Sequence, residues 1–296
     1  MYREWGPVAW LYALGVLAAA QLGKMSALVP LISVEMAFGL TLGGVLISLL
    51  EIGGATLGFA AGLFVDRLGV RRVLLAGIGL FALAGLGQSV APSVGVLVGL
   101  RLLEGAAYLC VVVSAPLLIF RIAPPDRRGV ALALWSSFVP VGFALGATAS
   151  GWIADALTWR AATLAWALMA VLMLLGTTRL ALPPATAPAQ RRLAVPRWNL
   201  WALTLAFGCY ASFAVGLIAL LPTFLVAQSG ASPRLAGLVG GLAAFISVLG
   251  VLLAVEVIPD IFRTLGNTTA DVSATAILAR GEKEEPKLAK PAGKKK

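Results

Sequence analysis

The sequence has no histidine at all and only two cysteines among its 296 residues. Without imidazole a haem or zinc centre is not expected, and a proton relay would have to use carboxylates. Cys110 and Cys209 lie far apart inside apolar runs, with no spacing for a disulfide or a metal set, and read as small core residues. No cofactor and no metal site is expected. Charge is also scarce. Only 12% of the residues are charged and 60% are hydrophobic, whereas soluble domains carry about 25% charged residues. That composition excludes a water-soluble protein and points to a chain that crosses the lipid bilayer several times. Apart from Lys24, every lysine falls between 283 and 296. The formal charge of +10 comes from short basic connections rather than from basic residues interleaved with aromatics, so a nucleic-acid partner is not expected. No connection holds a nucleophile–base pair, a phosphate loop or a metal cluster, and an enzyme is not expected.

Apolar windows place membrane spans at 8–32, 41–65, 73–91, 94–120, 130–154, 161–181, 199–227 and 235–258. Met1–Gly23 has the outline of a signal peptide, with Arg3 and Ala18–Ala20. Apolar sequence resumes straight after Lys24, however, and the segment reads as a first transmembrane helix. Arginine then tests the map. Connections expected in the cytoplasm hold Arg67, Arg71, Arg72, Arg121, Arg127, Arg128, Arg179, Arg191, Arg192 and Arg197, and outer ones hold only Arg160 and Arg234. This asymmetry predicts cytoplasmic N- and C-termini in a cell (inner) membrane. A proline-rich basic linker at 182–198 separates six spans (1–181) from two more (199–250). Residues 282–296 form a Lys/Glu-rich tail with too few apolar residues to fold, and its last lysines suit anionic lipid.

Four charged residues fall inside spans, where charge is costly and by default functional: Lys24, Glu51, Arg101 and Glu104. Counting the helical rise from each outer helix end puts them at depths of ~10–15 Å, in one layer. Arg101 and Glu104, three apart, share a helix face. Two readings stay open. The four are either ion pairs that hold helices in register, or the lining of a polar cavity. In the cavity, Lys24 and Arg101 attract a small anionic substrate while Glu51 or Glu104 carries a proton. Glycine recurs at Gly54, Gly58 and Gly62, and at Gly142 and Gly146, an interval that lets helix backbones approach closely.

The connection Gly62-Leu-Phe-Val-Asp66-Arg67-Leu-Gly69-Val-Arg71-Arg72 resembles the signature loop between the second and third helices of major facilitator superfamily transporters. Arg101-Leu-Leu-Glu104-Gly105 resembles that family's fourth-helix motif, Pro125-Asp126-Arg127-Arg128-Gly129 its entry to the fifth helix, and Thr158-Trp159-Arg160 its entry to the sixth. The resemblance implies an all-helical six-helix bundle facing a second bundle, with secondary transport as the activity. It also implies a gating role for the Gly62–Arg72 loop. There Asp66 pairs with arginines such as Arg127 or Arg128, the arginine at 101 is buried, and proton coupling is common. Pro140, Gly142 and Gly146 do not reproduce the antiporter pattern of the fifth helix. Lys24 ahead of Pro30 is similar to the first helix of cyanate- and organic-anion-type permeases.

Residues 251–281 carry Asp260-x-x-Arg263-Thr264-x-x-Asn267-x-x-x-Asp271, which resembles the last helix of glutamate/dicarboxylate:cation symporters. In that family the residues matching Asp260, Arg263 and Thr264 bind substrate, and those matching Asn267 and Asp271 help to hold sodium. The other parts of such a site are not seen here, so this segment is expected to be inactive. Eight spans are fewer than a full facilitator set, and pairing with another half-bundle would complete one. The competing expectation is therefore a truncated or chimeric fragment, joined near Gly250, that acts as a non-transporting scaffold.

Overall fold

The computed structural model describes residues 5–51, 65, 68–180, 182 and 198–255, with side chains within 198–255 described at 205, 209 and 216–246. All regular structure in these residues is helical. The helices are α1 (Trp5–Glu35), α2 (Leu40–Glu51 as described), α3 (Val70–Ser89), α4 (Val94–Ile122), α5 (Arg128–Ser136), α6 (Phe138–Ala156), α7 (Trp159–Arg179), α8 (Trp198–Ser229) and α9 (Pro233–Val255). A single 3-10 turn, Pro125–Arg127, leads into α5. Among the described residues five stretches are long and apolar enough to cross a bilayer: α1, α3, α4, α7, and the run Pro125–Ala156 through α5 and α6. The chain is a multi-pass membrane protein. Residues 1–248 form one compact unit, and 249–296 a second.

The helices bury small residues and turn large ones outward, as expected where lipid rather than water surrounds the bundle. In α7, Ala162, Thr163, Ala167, Ala170 and Thr177 face inward, while Leu164, Leu168, Leu172 and Leu175 form an exposed stripe. The central helix is α1. It packs most extensively on α6 and also against α4, α7 and α8, and α3 packs on α4 and α7. Its crossing with α6 is stripped to backbone. A Cβ on Gly146 would overlap the Ala20 carbonyl oxygen, and one on Gly23 would overlap that of Phe143. The glycine interval at 142 and 146 thus serves close helix approach, while Gly54, Gly58 and Gly62 lie outside the described residues.

The sequence windows predict one continuous helix over 130–154, but the structure breaks it at Ser137. Pro140 has no N–H to offer the carbonyl four residues back, which ends α5 at Ser136. The break is held by Tyr12, whose hydroxyl lies 2.9 Å from Ser137 Oγ, and by stacking of Trp135 on Phe138. At the opposite end of the bundle, Glu35 accepts from Trp159 Nε1 (2.6 Å) and pairs with Arg160, whose guanidinium also donates to the Ala91 carbonyl (3.2 Å). This clamp joins the end of α1, the α3–α4 turn and the start of α7. The side chains are about half exposed, so solvent screens the pair. Glu35→Ala is expected to lower stability by about 1 kcal/mol, read as a small drop in the unfolding midpoint in detergent.

Candidate functional site

Three of the four intramembrane charges meet. Lys24 of α1 and Arg101 and Glu104 of α4 are all fully buried. Lys24 Nζ donates to Glu104 Oε1 at 2.7 Å and to Gln88 Oε1 of α3 at 2.9 Å. Gln88 Nε2 donates to Glu104 Oε2 at 2.7 Å, and Arg101 Nη1 donates to the same oxygen. Both carboxylate oxygens are therefore saturated by charged or amide donors, the condition under which a buried ion is tolerated.

The two cations are held differently. Arg101 spends its fork on the main chain: Nε donates to the Leu46 carbonyl (2.8 Å), Nη2 to that of Ile47 (3.2 Å) and Nη1 also to that of Gln21 (3.4 Å). It ties α4 to α2 and α1 as a strut. Among the described residues, Lys24 is held by two side chains, Gln88 and Glu104, and by no backbone carbonyl. Gly105, next to Glu104, permits this closeness, since a Cβ there would sit 3.0 Å from the Leu49 carbonyl oxygen of α2. Together Lys24, Arg101 and Glu104 carry one excess positive charge.

Glu51, placed in the same layer by the helical count, does not join the cluster. Its side chain is half-buried, close enough to Tyr108 for the two to interact electrostatically, and it makes no ion pair with a described residue. Gln88, in turn, was not legible as a site residue. A neutral amide near the end of an apolar run carries no charge signal, and only its neighbours reveal its use.

In the Gly62–Arg72 loop, Gly69 adopts φ 87°, a backbone that side-chain-bearing residues rarely adopt, and caps the start of α3. Exposed Arg71 donates to the Thr178 carbonyl at the end of α7 (3.1 Å), and Arg72 is exposed. Gly62, Asp66 and Arg67 lie outside the described residues. Of the arginines expected to pair with Asp66, Arg127 contacts Asp126 at 3.6 Å, and the Arg128 guanidinium lies 4.6 Å from the Phe120 ring centre. Asp260, Arg263, Thr264, Asn267 and Asp271 also lie outside the described residues.

A second set of contacts connects α8 and α9 to the first six spans. Ser26 of α1 donates to the Ala219 carbonyl of α8. In α6 and α9, Gly151 and Gly237 face each other's helix so closely that a Cβ on either would come within 2.6 Å of the Pro233 or Ala147 carbonyl oxygen, respectively. The Arg234 guanidinium covers the Trp152 ring at 3.8 Å. These contacts lie in the half of the bundle that carries Glu35 and Arg160.

A family model described as Major Facilitator Superfamily matches residues 11–278. The chain belongs to the major facilitator superfamily. The superfamily match runs past Gly250 and through most of the segment that resembles a symporter helix. Over 158 residues the chain is 34% identical to the methylenomycin A resistance protein of Streptomyces coelicolor, covering 53% of this chain and 33% of that protein. Over 161 residues it is 27% identical to the arabinose-proton symporter of Escherichia coli, covering 54% and 34%. These alignments span about a third of each relative's length. Among solved structures, a bacterial homologue of the human lysosomal transporter Spinster, inward-facing and unoccupied, matches with a TM-score of 0.69 at 16% identity, covering 87% of this chain and 64% of that one. That likeness is one of fold.

Proposed function

We propose that this superfamily member is a secondary transporter of a small anionic metabolite, taken up at the Lys24–Gln88–Arg101–Glu104 cluster. The observation that carries the reading is Lys24: a fully buried cation at membrane depth, held among the described residues by the Gln88 and Glu104 side chains. Arg101 supports the positive field while anchoring α4. Glu51, which stands outside the ion-paired cluster, is the proton carrier of choice in a chain without histidine, and the proton-coupled relative is in keeping with that role. The likeness of the first helix to organic-anion permeases supports the same substrate class.

Alternating access would come from rocking of the first six spans, α1–α7, against those that follow. The α6–α9 contact supplies a smooth, glycine-lined surface on which such rocking can close one side, beside the Ser26–Ala219 contact of α1 with α8. The arginine-rich end, with Asp66 and Arg67 in its loop, would face the cytoplasm of the cell membrane and latch the other side. Lipid surrounds the bundle, and a second half-bundle is a natural partner.

Proteoliposomes loaded against a gradient of radiolabelled organic anions test the reading. Lys24→Gln is expected to lower uptake at least tenfold while leaving the protein monodisperse in detergent. Uptake equal to wild type in that variant, or no uptake of any anion by wild type, would refute it.

A further inference from the structure

The cluster has an uneven charge count that bears on which anions it accepts. Lys24 and Arg101 face a single carboxylate, Glu104, and the fourth member, Gln88, is neutral. Glu51, the next acidic group on the packed helices, sits apart beside Tyr108 and forms no ion pair with a described residue. Arg101 is committed to three backbone carbonyls as well as to Glu104, so it cannot turn to a ligand without releasing α1 and α2. Lys24 can, because an ammonium has three N–H donors and the structure assigns two of them, both to side-chain acceptors.

Resting on the transporter reading above, we propose that Glu104 is the charge-selecting residue, and that it tunes the site to singly charged anions. One monoanion at Lys24 brings the buried cluster to neutrality. A dianion would leave it with an unpaired negative charge, which burial penalises. The carboxylate thus does more than brace Lys24, because it sets how much negative charge the site can take. Gln88 touches both Lys24 and Glu104, so a carboxylate at 88 would occupy nearly the same place in the field. A unit charge at about 5 Å in an effective dielectric near 20 is worth about 300-fold in affinity, so these effects are large enough to measure.

The test is equilibrium binding to the purified full-length chain in nanodiscs, followed by intrinsic tryptophan fluorescence, with lactate, succinate and xylose as probes. Wild type is expected to prefer lactate to succinate. Glu104→Gln, which raises the cluster's excess charge by one, is expected to shift that preference toward succinate by at least tenfold. Gln88→Glu, which brings the cluster to neutrality, is expected to weaken lactate binding at least tenfold. The double variant Gln88→Glu/Glu104→Gln restores the original count and is expected to regain the lactate preference. A residue that only braces the helices would not move the preference toward succinate in Glu104→Gln, and a misfolded single variant cannot produce the rescue.

The proposal is overturned if the preference is unmoved in Glu104→Gln, if the double variant fails to recover it, or if neither anion binds wild type. Binding needs no vectorial movement, so the two readings can fail separately. Lactate binding with the expected pattern but no uptake of any anion in proteoliposomes sinks the transport reading alone. Uptake of an organic anion that depends on Lys24, with a charge preference unmoved by Glu104→Gln, sinks this one alone.

Discussion

Arg101→Ala is expected to destabilise the bundle by about 3–5 kcal/mol, the largest effect of any single truncation in the cluster. The guanidinium bonds the carbonyls of Leu46, Ile47 and Gln21 as well as Glu104, so its loss loosens three helices at once. Ordinary hydrogen bonds between membrane helices are worth only about 0.6 kcal/mol on average, because helices separated in the bilayer find other partners. The case differs here because Arg101 is a fully buried ion on a fully buried carboxylate. Separating the helices strands charge rather than a neutral dipole, and that term dominates. Arg101→Lys is expected to recover little, since one ammonium cannot reproduce a planar fork aimed at acceptors on separate helices. Reversible unfolding in mixed detergent–SDS micelles measures both. A loss below about 1 kcal/mol for Arg101→Ala would mean that the backbone contacts do not act as a strut.

How much of this site could be read from the residues depends on the kind of signal each carries. Lys24, Arg101 and Glu104 stand out because a charge in an apolar run has few innocent explanations. Counting the fixed helical rise from the span ends also placed them at one depth, and the structure brings them into contact. Glu51 shows the weakness of that count: equal depth says nothing about which way a helix face turns. Gln88 carries no anomaly in composition, and its role appears only when α3 is packed on α4. The Glu35 clamp was hidden for a related reason, as its partners Trp159 and Arg160 are more than a hundred residues away in sequence. The break at Ser137 follows from Pro140, yet hydropathy windows average over it, because a proline in an apolar run leaves the mean almost unchanged. Apart from that break and from the second span, described only to Glu51, the expected spans fall within about three residues of the helix ends, since bilayer thickness dictates span length.

The second large effect concerns glycine rather than charge. Gly146→Val is expected to cost about 3 kcal/mol, the upper end of the usual range for overpacking. Its Cβ would overlap the Ala20 carbonyl oxygen and lie 2.8 Å from the Ala20 Cα and carbonyl carbon. The obstacle is backbone on a neighbouring helix, so no rotamer change can relieve it. Gly23 faces α6 in the same way, with the Ala147 backbone nitrogen 2.7 Å from its added Cβ, so the helices cannot slide along the crossing to make room. The remaining response is for α1 and α6 to separate, and α1 also carries Lys24. Separation would therefore pull the ammonium from Gln88 and Glu104, and anion binding should weaken along with stability. Gly99→Val is the matched control. It lies on an exposed face of α4, five residues before Glu104, with nothing within 4 Å of an added Cβ. It should change stability by no more than about 0.5 kcal/mol. Measuring both variants in the same micelles separates the crossing from any general cost of valine in a membrane helix. Equal losses at the two positions would show that close packing of α1 on α6 does not hold the cluster in place.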